Sequence, residues 1–172
     1  LLQDCIKYVR ATRGVTIELS QLDMGDQAVY DDLCNADTVG VFQVESRAQM
    51  NTLPRLKPRS FYDLVVEVAL IRPGPLQGEM VHPYLRRRAG EEEVTYPHPS
   101  LEPVLRDTFG LVVYEEHILR ICEEFAGLHP GRADVLRRAL NKQKRVVIAE
   151  IREEFFASAR ARGHDDVKIE EV

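Results

Sequence analysis

The most restrictive feature of this chain is the run Ala69-Leu70-Ile71-Arg72-Pro73-Gly74-Pro75-Leu76-Gln77. An apolar helical pattern covers Phe61 to Ile71 and stops at Arg72, in front of Pro-Gly-Pro. Each proline fixes φ, removes a backbone donor and pushes its predecessor out of the α region. Gly74 supplies φ > 0 if the turn requires it. The spacing predicts a stiff corner with Arg72 at its apex, where a guanidinium meets helix carbonyls. Glu79 to Ala89 then reads as a helix closed by Gly90, with Arg86, Arg87 and Arg88 in its last turns. A rigid turn followed by a basic helix end aims cations outward, a geometry suited to phosphate.

The rest of the chain reads as a series of short helices. Leu1, Leu2, Cys5, Ile6 and Val9 form a helical stripe that Gly14 ends. Asp26 caps a short helix through Tyr30 and Leu33, and Val39 to Val44 is β-prone. Ser46 and Gln49 fit a capping box for a helix that reaches Leu53 and is closed by Pro54. Ser60 caps the next helix, with Asp63 in its first turn and Leu64, Val65, Val68 and Ala69 facing the core. Ser100 caps a helix through Leu105, and Gly110 to Tyr114 reads as a small strand. Glu115 opens a helix with Ile118, Ile121, Cys122 and Phe125 on one face, ending at Gly127. Pro130 opens another, with Val135, Leu136, Ala139 and Leu140 inward. The last long helix covers Val146 to Ala161 and stops at Gly163, and Asp165 caps a final one. The expected fold class is mainly α: a multi-helix domain with at most two or three short strands.

A length of 172 residues suits one domain or a part of a larger protein, and 44% hydrophobic residues suffice for a core. The opening residues read as the middle of a helix and carry no start Met, so the chain is expected to be an excised piece. No apolar run approaches membrane-spanning length. Cys5, Cys34 and Cys122 lie far apart with no CxxC, which points to reduced thiols rather than a zinc site. The histidines are scattered, and there is no HExxH, P-loop or nucleophile elbow. No metal ligands and no catalytic residues are therefore assigned.

The net charge is −5, which is not the overall signature of a nucleic-acid binder. Its distribution says more. Arg132, Arg137, Arg138, Lys142, Lys144 and Arg145 crowd into one stretch against a single acid, Asp134. A triphosphate needs several fixed cations, and arginine offers bidentate donors with permanent charge. Arg137 and Arg138 head the nucleotide-binding candidates; Lys142 shares the face of Arg138, and Arg72 at the proline corner joins them. Arg86, Arg87, Arg88 and Lys144 are the candidate DNA contacts, although three consecutive arginines point in three directions and at most two can serve one strand. The competing reading of each cluster is a solvated helix end. Tyr84 and Tyr114 read as half-buried core, Asp63 and Glu67 as an ordinary polar edge, and Glu45 as a bridge to a nearby cation.

Three motifs carry a family resemblance. Gly40-Val41-Phe42-Gln43-Val44-Glu45-Ser46-Arg47, then Arg72-Pro73-Gly74-Pro75-Leu76-Gln77, then Leu136-Arg137-Arg138-Ala139-Leu140-Asn141-Lys142 resemble successive landmarks of the bacterial DNA polymerase III alpha subunit. They stand in the family's order, and the similarity runs from about Leu1 to Arg162. Ala48-Gln49-Met50, Phe61-Tyr62-Asp63-Leu64-Val65 and Met80 to Arg88 are most like the error-prone alpha paralogue of damage-induced synthesis. Tyr114-Glu115-Glu116-His117 departs from the family's Gln-Glu-Gln-like run, and Asn141-Lys142-Gln143-Lys144 only approximates its Gly-Lys-Lys stretch.

The resemblance implies the fingers region of a C-family polymerase over the whole chain. Residues 1–14 would be the end of a linking helix, 26–162 a helical fingers core, and 163–172 the start of a truncated helix. It implies that Arg137 and Arg138 contact the triphosphate of an incoming dNTP. The parent would be a cytoplasmic DNA-directed DNA polymerase using Mg²⁺ held by palm aspartates that this stretch lacks, so the piece alone is expected to be inactive. Its partners would be primer–template DNA, dNTP, the other polymerase domains and replication or repair subunits, with no membrane. A non-catalytic helical protein-interaction module is the alternative.

Overall fold

A computed structural model describes residues 1–71 and 78–172. The proline corner, with Arg72, lies outside the described residues. Two compact units are present, Leu1–Leu64 and Val65–Val172. Among the described residues every regular element is helical, in keeping with a mainly α chain.

In the first unit, α1 (Leu2–Arg13) buries no residue and ends at Gly14, whose φ of 69° lets its N–H reach the Arg10 carbonyl. α2 (Gln27–Cys34) is capped by Asp26, which accepts the Ala28 N–H at 3.0 Å. α3 (Arg47–Leu56) carries the full Ser46/Gln49 capping box. It does not stop at Pro54 but continues to Leu56. The hydrogen bond Pro54 cannot make is offset by burial of Leu53 and Leu56, which are fully enclosed. Tyr30, Leu33, Val44 and Leu53 form the small core, with Leu64 against it.

The β-prone 39–44 stretch is a turn rather than a strand. Thr38 Oγ1 donates to the Val44 carbonyl at 2.6 Å, and Gln43 sits at φ 72°. Glu45 accepts the Gly40 N–H at 2.9 Å, and among the described residues it meets no cation. Side-chain bonds to the local backbone displace a ladder here, because no partner strand competes for these groups.

α4 (Phe61–Leu70) starts as expected, with Ser60 Oγ accepting the Asp63 N–H at 3.3 Å and Asp63 accepting the Ser60 N–H at 3.0 Å. Ala69 is buried as expected, but Val66 and Leu70 are also inside while Val65 is 40% exposed. Asp63 and Glu67 are likewise buried, at 6% and 0% exposure, not a polar edge. A helix apolar nearly all round leaves its inward face undetermined by pattern alone.

The second unit continues with α5 (Gly78–Arg88), where Tyr84 is buried and meets Phe109 edge-on at 5.3 Å. α6 (Glu102–Leu105) follows a turn over Pro99–Leu101. That turn is capped by His98, whose Nδ1 accepts the Ser100 N–H, so Ser100 is not itself the cap. Residues 110–114 form a loop in place of the expected strand, secured by His117 Nδ1 accepting the Val113 N–H at 3.2 Å.

α7 (Glu115–Ile121) opens into a π-turn, Cys122–Ala126, closed by Gly127 in the left-handed region. α8 (Pro130–Asn141) is capped by His129, α9 (Arg145–Ala161) returns along it, and Asp165 caps α10 (Asp166–Glu171). Leu101, Leu105, Phe125, Ala133, Ile151 and Ala159 are fully enclosed at the centre of these helices. Burying each of the larger side chains stabilises the unit by about 1.5–3 kcal/mol. Leu140, expected inward, is 41% exposed, and the small Ala133 and Ala139 take the contact face of α8.

Candidate phosphate-binding site

The short turn from α8 to α9 builds the site. Lys142 ends α8, Gln143 takes φ 50°, and the Lys144 N–H returns to the Ala139 carbonyl at 2.9 Å. This chain reversal places Lys142 and Lys144 around one concavity of about 220 Å³, lined also by Arg138, Ala139, Val135 and Val147. Among the described residues neither lysine makes an ion pair, and both are exposed. At this volume the concavity suits a phosphate chain rather than a whole nucleotide.

The adjacent arginines diverge. Consecutive residues on a helix are about 100° apart. Arg138, with its side chain 58% exposed, lines the concavity, and its Nη2 lies 2.8 Å from Asp134 Oδ2. Arg137, with its side chain 27% exposed, turns towards α7. Its Nε and Nη2 donate to Asp134 Oδ1 at 3.0 and 2.8 Å, and its Nη1 donates to Glu115 Oε2. Asn141 Nδ2 donates to the other Glu115 oxygen at 3.0 Å.

Hydrogen bonds from Arg137, then the charges of both arginines, hold the Asp134 carboxyl below the usual carboxylate range. The same bonds to Asp134 and Glu115 raise the Arg137 guanidinium above its ordinary value. Two carboxylates neutralise two arginines, which leaves the lysines as the positive excess. Arg132, further back on α8, is bound to Glu150 and Glu154 of α9.

The other arginine cluster is used differently. Arg86 and Arg87 share Glu92, each Nε donating at 2.8 Å. Arg87 also donates to the Phe109 carbonyl at 2.8 Å, and its side chain is only 13% exposed. The Glu92 carboxyl is pulled below its ordinary value by Arg87 first and Arg86 second. Arg86 remains 51% exposed at the helix end, and Arg88 is half-buried. Arg72 lies outside the described residues; among the described nucleotide and DNA candidates, Arg138, Lys142 and Lys144 line the α8–α9 concavity, and Arg86 and Arg87 meet at Glu92.

Sequence reading noted Asp134 but not that it, Glu115 and Glu92 hold these arginines, and it missed the capping role of the histidines. His98 and His129 each precede a proline and accept the N–H two residues on, at 3.2 and 3.1 Å. The His-Pro pair was a readable signal, because proline favours the first helical position and so marks the residue before it as the cap.

A helical chain with a cationic turn between two antiparallel helices is the class of structure described. It belongs to a recognised family: the model of the bacterial DNA polymerase III alpha subunit finger domain matches residues 1–163. Among curated proteins, the chain is 60% identical over 156 residues to the Error-prone DNA polymerase of Corynebacterium efficiens, covering 90% of this chain and 14% of that one. The Error-prone DNA polymerase of Corynebacterium glutamicum is 58% identical over 152 residues, 88% of this chain and 14% of its own. That of Mycobacterium tuberculosis (strain H37Rv) is 51% identical over 162 residues, 93% of this chain and 15% of its own. The chain thus spans about 14–15% of the length of these relatives.

Proposed function

We propose that this chain is the fingers part of an error-prone DNA-directed DNA polymerase and that the α8–α9 turn receives the phosphates of the incoming dNTP. The concavity of Arg138, Lys142 and Lys144 carries the reading. Three cations converge there, and two of them have no carboxylate partner among the described residues. Their contribution is electrostatic: they orient the triphosphate and stabilise its charge, while none of them moves a proton. Arg137 acts at one remove, by fixing α8 against Glu115 at the start of α7. Arg86, the exposed arginine of the described α5 cluster, would meet a DNA backbone phosphate in exchange for Glu92; Arg87 fixes the loop around it.

The remaining substrate would be primer–template DNA, the remaining partners the other polymerase domains and replication or repair subunits, and the setting the bacterial cytoplasm. No helix among the described residues is long and apolar enough to cross a membrane. The described residues do not fit the Mg²⁺ that nucleotidyl transfer uses. No three His, Cys, Asp or Glu side chains among them come together, and Glu115 and Asp134 are tied to arginines.

The test is binding of a fluorescent dNTP to the chain at two salt concentrations, wild type against Arg138→Ala/Lys142→Ala. Removing two of the three cations should weaken binding at least tenfold and flatten its salt dependence. Unchanged affinity in a variant with wild-type circular dichroism would remove the site from α8.

A further inference from the structure

Asp134 is the one acid between Pro130 and Arg145, and it touches both arginines. Its reach is set by the helix, since Arg137 and Arg138 stand three and four residues on. One oxygen serves each guanidinium. A phosphate entering the concavity would present the same kind of acceptor to Arg138. Carboxylate and phosphate both bind guanidinium by charge-assisted, often bidentate bonds. Arg137 has a second anchor, Glu115 on α7, whereas Arg138 has no other carboxylate among the described residues.

We infer that Asp134 is an internal competitor for the phosphate site: it holds Arg138 in the empty state and yields it to the phosphate chain of a bound triphosphate. This rests on the α8–α9 turn being the phosphate site. Lys142 and Lys144 recruit the polyphosphate, and Arg138 exchanges Asp134 for phosphate once the chain is seated. Arg137 stays with Glu115, so α8 keeps its contact with α7 during the exchange. Asp134 is a positioning residue that limits affinity and speeds release. A single phosphate, reaching fewer cations, displaces it less well, so the exchange favours triphosphate over monophosphate.

The test uses the full 172-residue chain with inorganic triphosphate and orthophosphate as probes in calorimetry. Asp134→Asn keeps an acceptor for Arg137 and removes the charge. It should tighten triphosphate binding about two- to five-fold, the worth of an exposed ion pair. The gain should vanish in Asp134→Asn/Arg138→Ala. In the unaltered chain, a carbon-13 titration of the Asp134 carboxyl should move up towards the ordinary aspartate value when triphosphate saturates the site, and by less in Arg138→Ala, where the charge of the anion acts but no ion pair is exchanged. Triphosphate binding that leaves this titration unmoved, or that is unchanged or weaker in folded Asp134→Asn, overturns the competition and leaves the site standing. Absence of triphosphate binding by both chains overturns the site and the competition together.

Discussion

Glu67 offers the sharpest energetic prediction. It is 0% exposed on α4, and among the described residues neither carboxylate oxygen has a hydrogen-bond partner. Burial pushes its carboxyl from an ordinary value of 4.5 up to about 7. Between those two values the folded chain holds a proton that the unfolded chain has released. Stability therefore falls as pH rises through that window. At about 1.4 kcal/mol per pH unit the full loss is about 3 kcal/mol, a substantial part of the roughly 5–15 kcal/mol of a typical domain.

Glu67→Gln removes the titration while keeping the shape. Its absolute stability includes the cost of a buried amide, so the useful readout is the pH dependence. Urea unfolding followed by far-ultraviolet circular dichroism, at pH 5, 6, 7 and 8, gives the stability of both chains. The variant should gain on the wild type by about 2.5 kcal/mol between the lowest and highest pH, since part of the window lies below pH 5. A stability difference that is flat across the series would refute the reasoning, because it would mean that Glu67 titrates normally and finds a partner or water.

The same pH series tests the histidines from the other side. Burial, then the charge of Arg120, lowers the His117 pKa from 6.5, and protonation would remove the acceptor of the Val113 N–H. Stability from His117 is thus present above pH 6.5 and lost as pH falls through its lower folded value; His117→Gln should flatten that acid limb. Arg87→Ala should cost about 1–3 kcal/mol by orphaning the Phe109 carbonyl, whereas Arg86→Ala should stay within about 1 kcal/mol; equal losses in urea unfolding would contradict the assignment. Gly110 has φ 80°, and a Cβ there would lie 2.2 Å from the Thr95 carbonyl oxygen. Gly110→Ala should destabilise by roughly 2–4 kcal/mol, measurable as a lowered thermal midpoint.

Helix ends were the most legible part of the fold. Asp26, Ser46 with Gln49, Ser60, Gly127 and Asp165 stand where expected because capping is decided within four residues of sequence. Facing directions were less legible. On α4 the apolar residues wrap the helix, so the inward side was set by packing, which placed Val66 and Glu67 inside and Val65 outside. The Val39–Val44 and Gly110–Tyr114 stretches have strand-like composition, but a strand needs a partner. Thr38 and His117 bind these backbones instead. The motifs that resemble the alpha subunit identified the family correctly, although they say nothing about which arginine faces which neighbour.

The candidate site shows why a basic run on a helix cannot be taken as one surface. Arg137 and Arg138 look like a pair in the sequence, yet about 100° of rotation sends one to Glu115 and the other to the concavity. Arg86 and Arg87 instead meet at one acid, Glu92, and differ in exposure, with side chains 51% and 13% exposed. In each cluster the nearby acid decides which cation remains for a ligand. Asp134 lies at i−4 from Arg138 and was visible in the sequence, but only as a lone exception in a basic stretch. Weighed at helical spacing it becomes the group that sets the charge of the site. Among the described residues Lys142 and Lys144 make no such pair, and both lie in the turn between the helices. The turn therefore contributes as much to the proposed phosphate site as the arginines do. Changing the spacing between Asn141 and Arg145 should weaken triphosphate binding even with every cation retained.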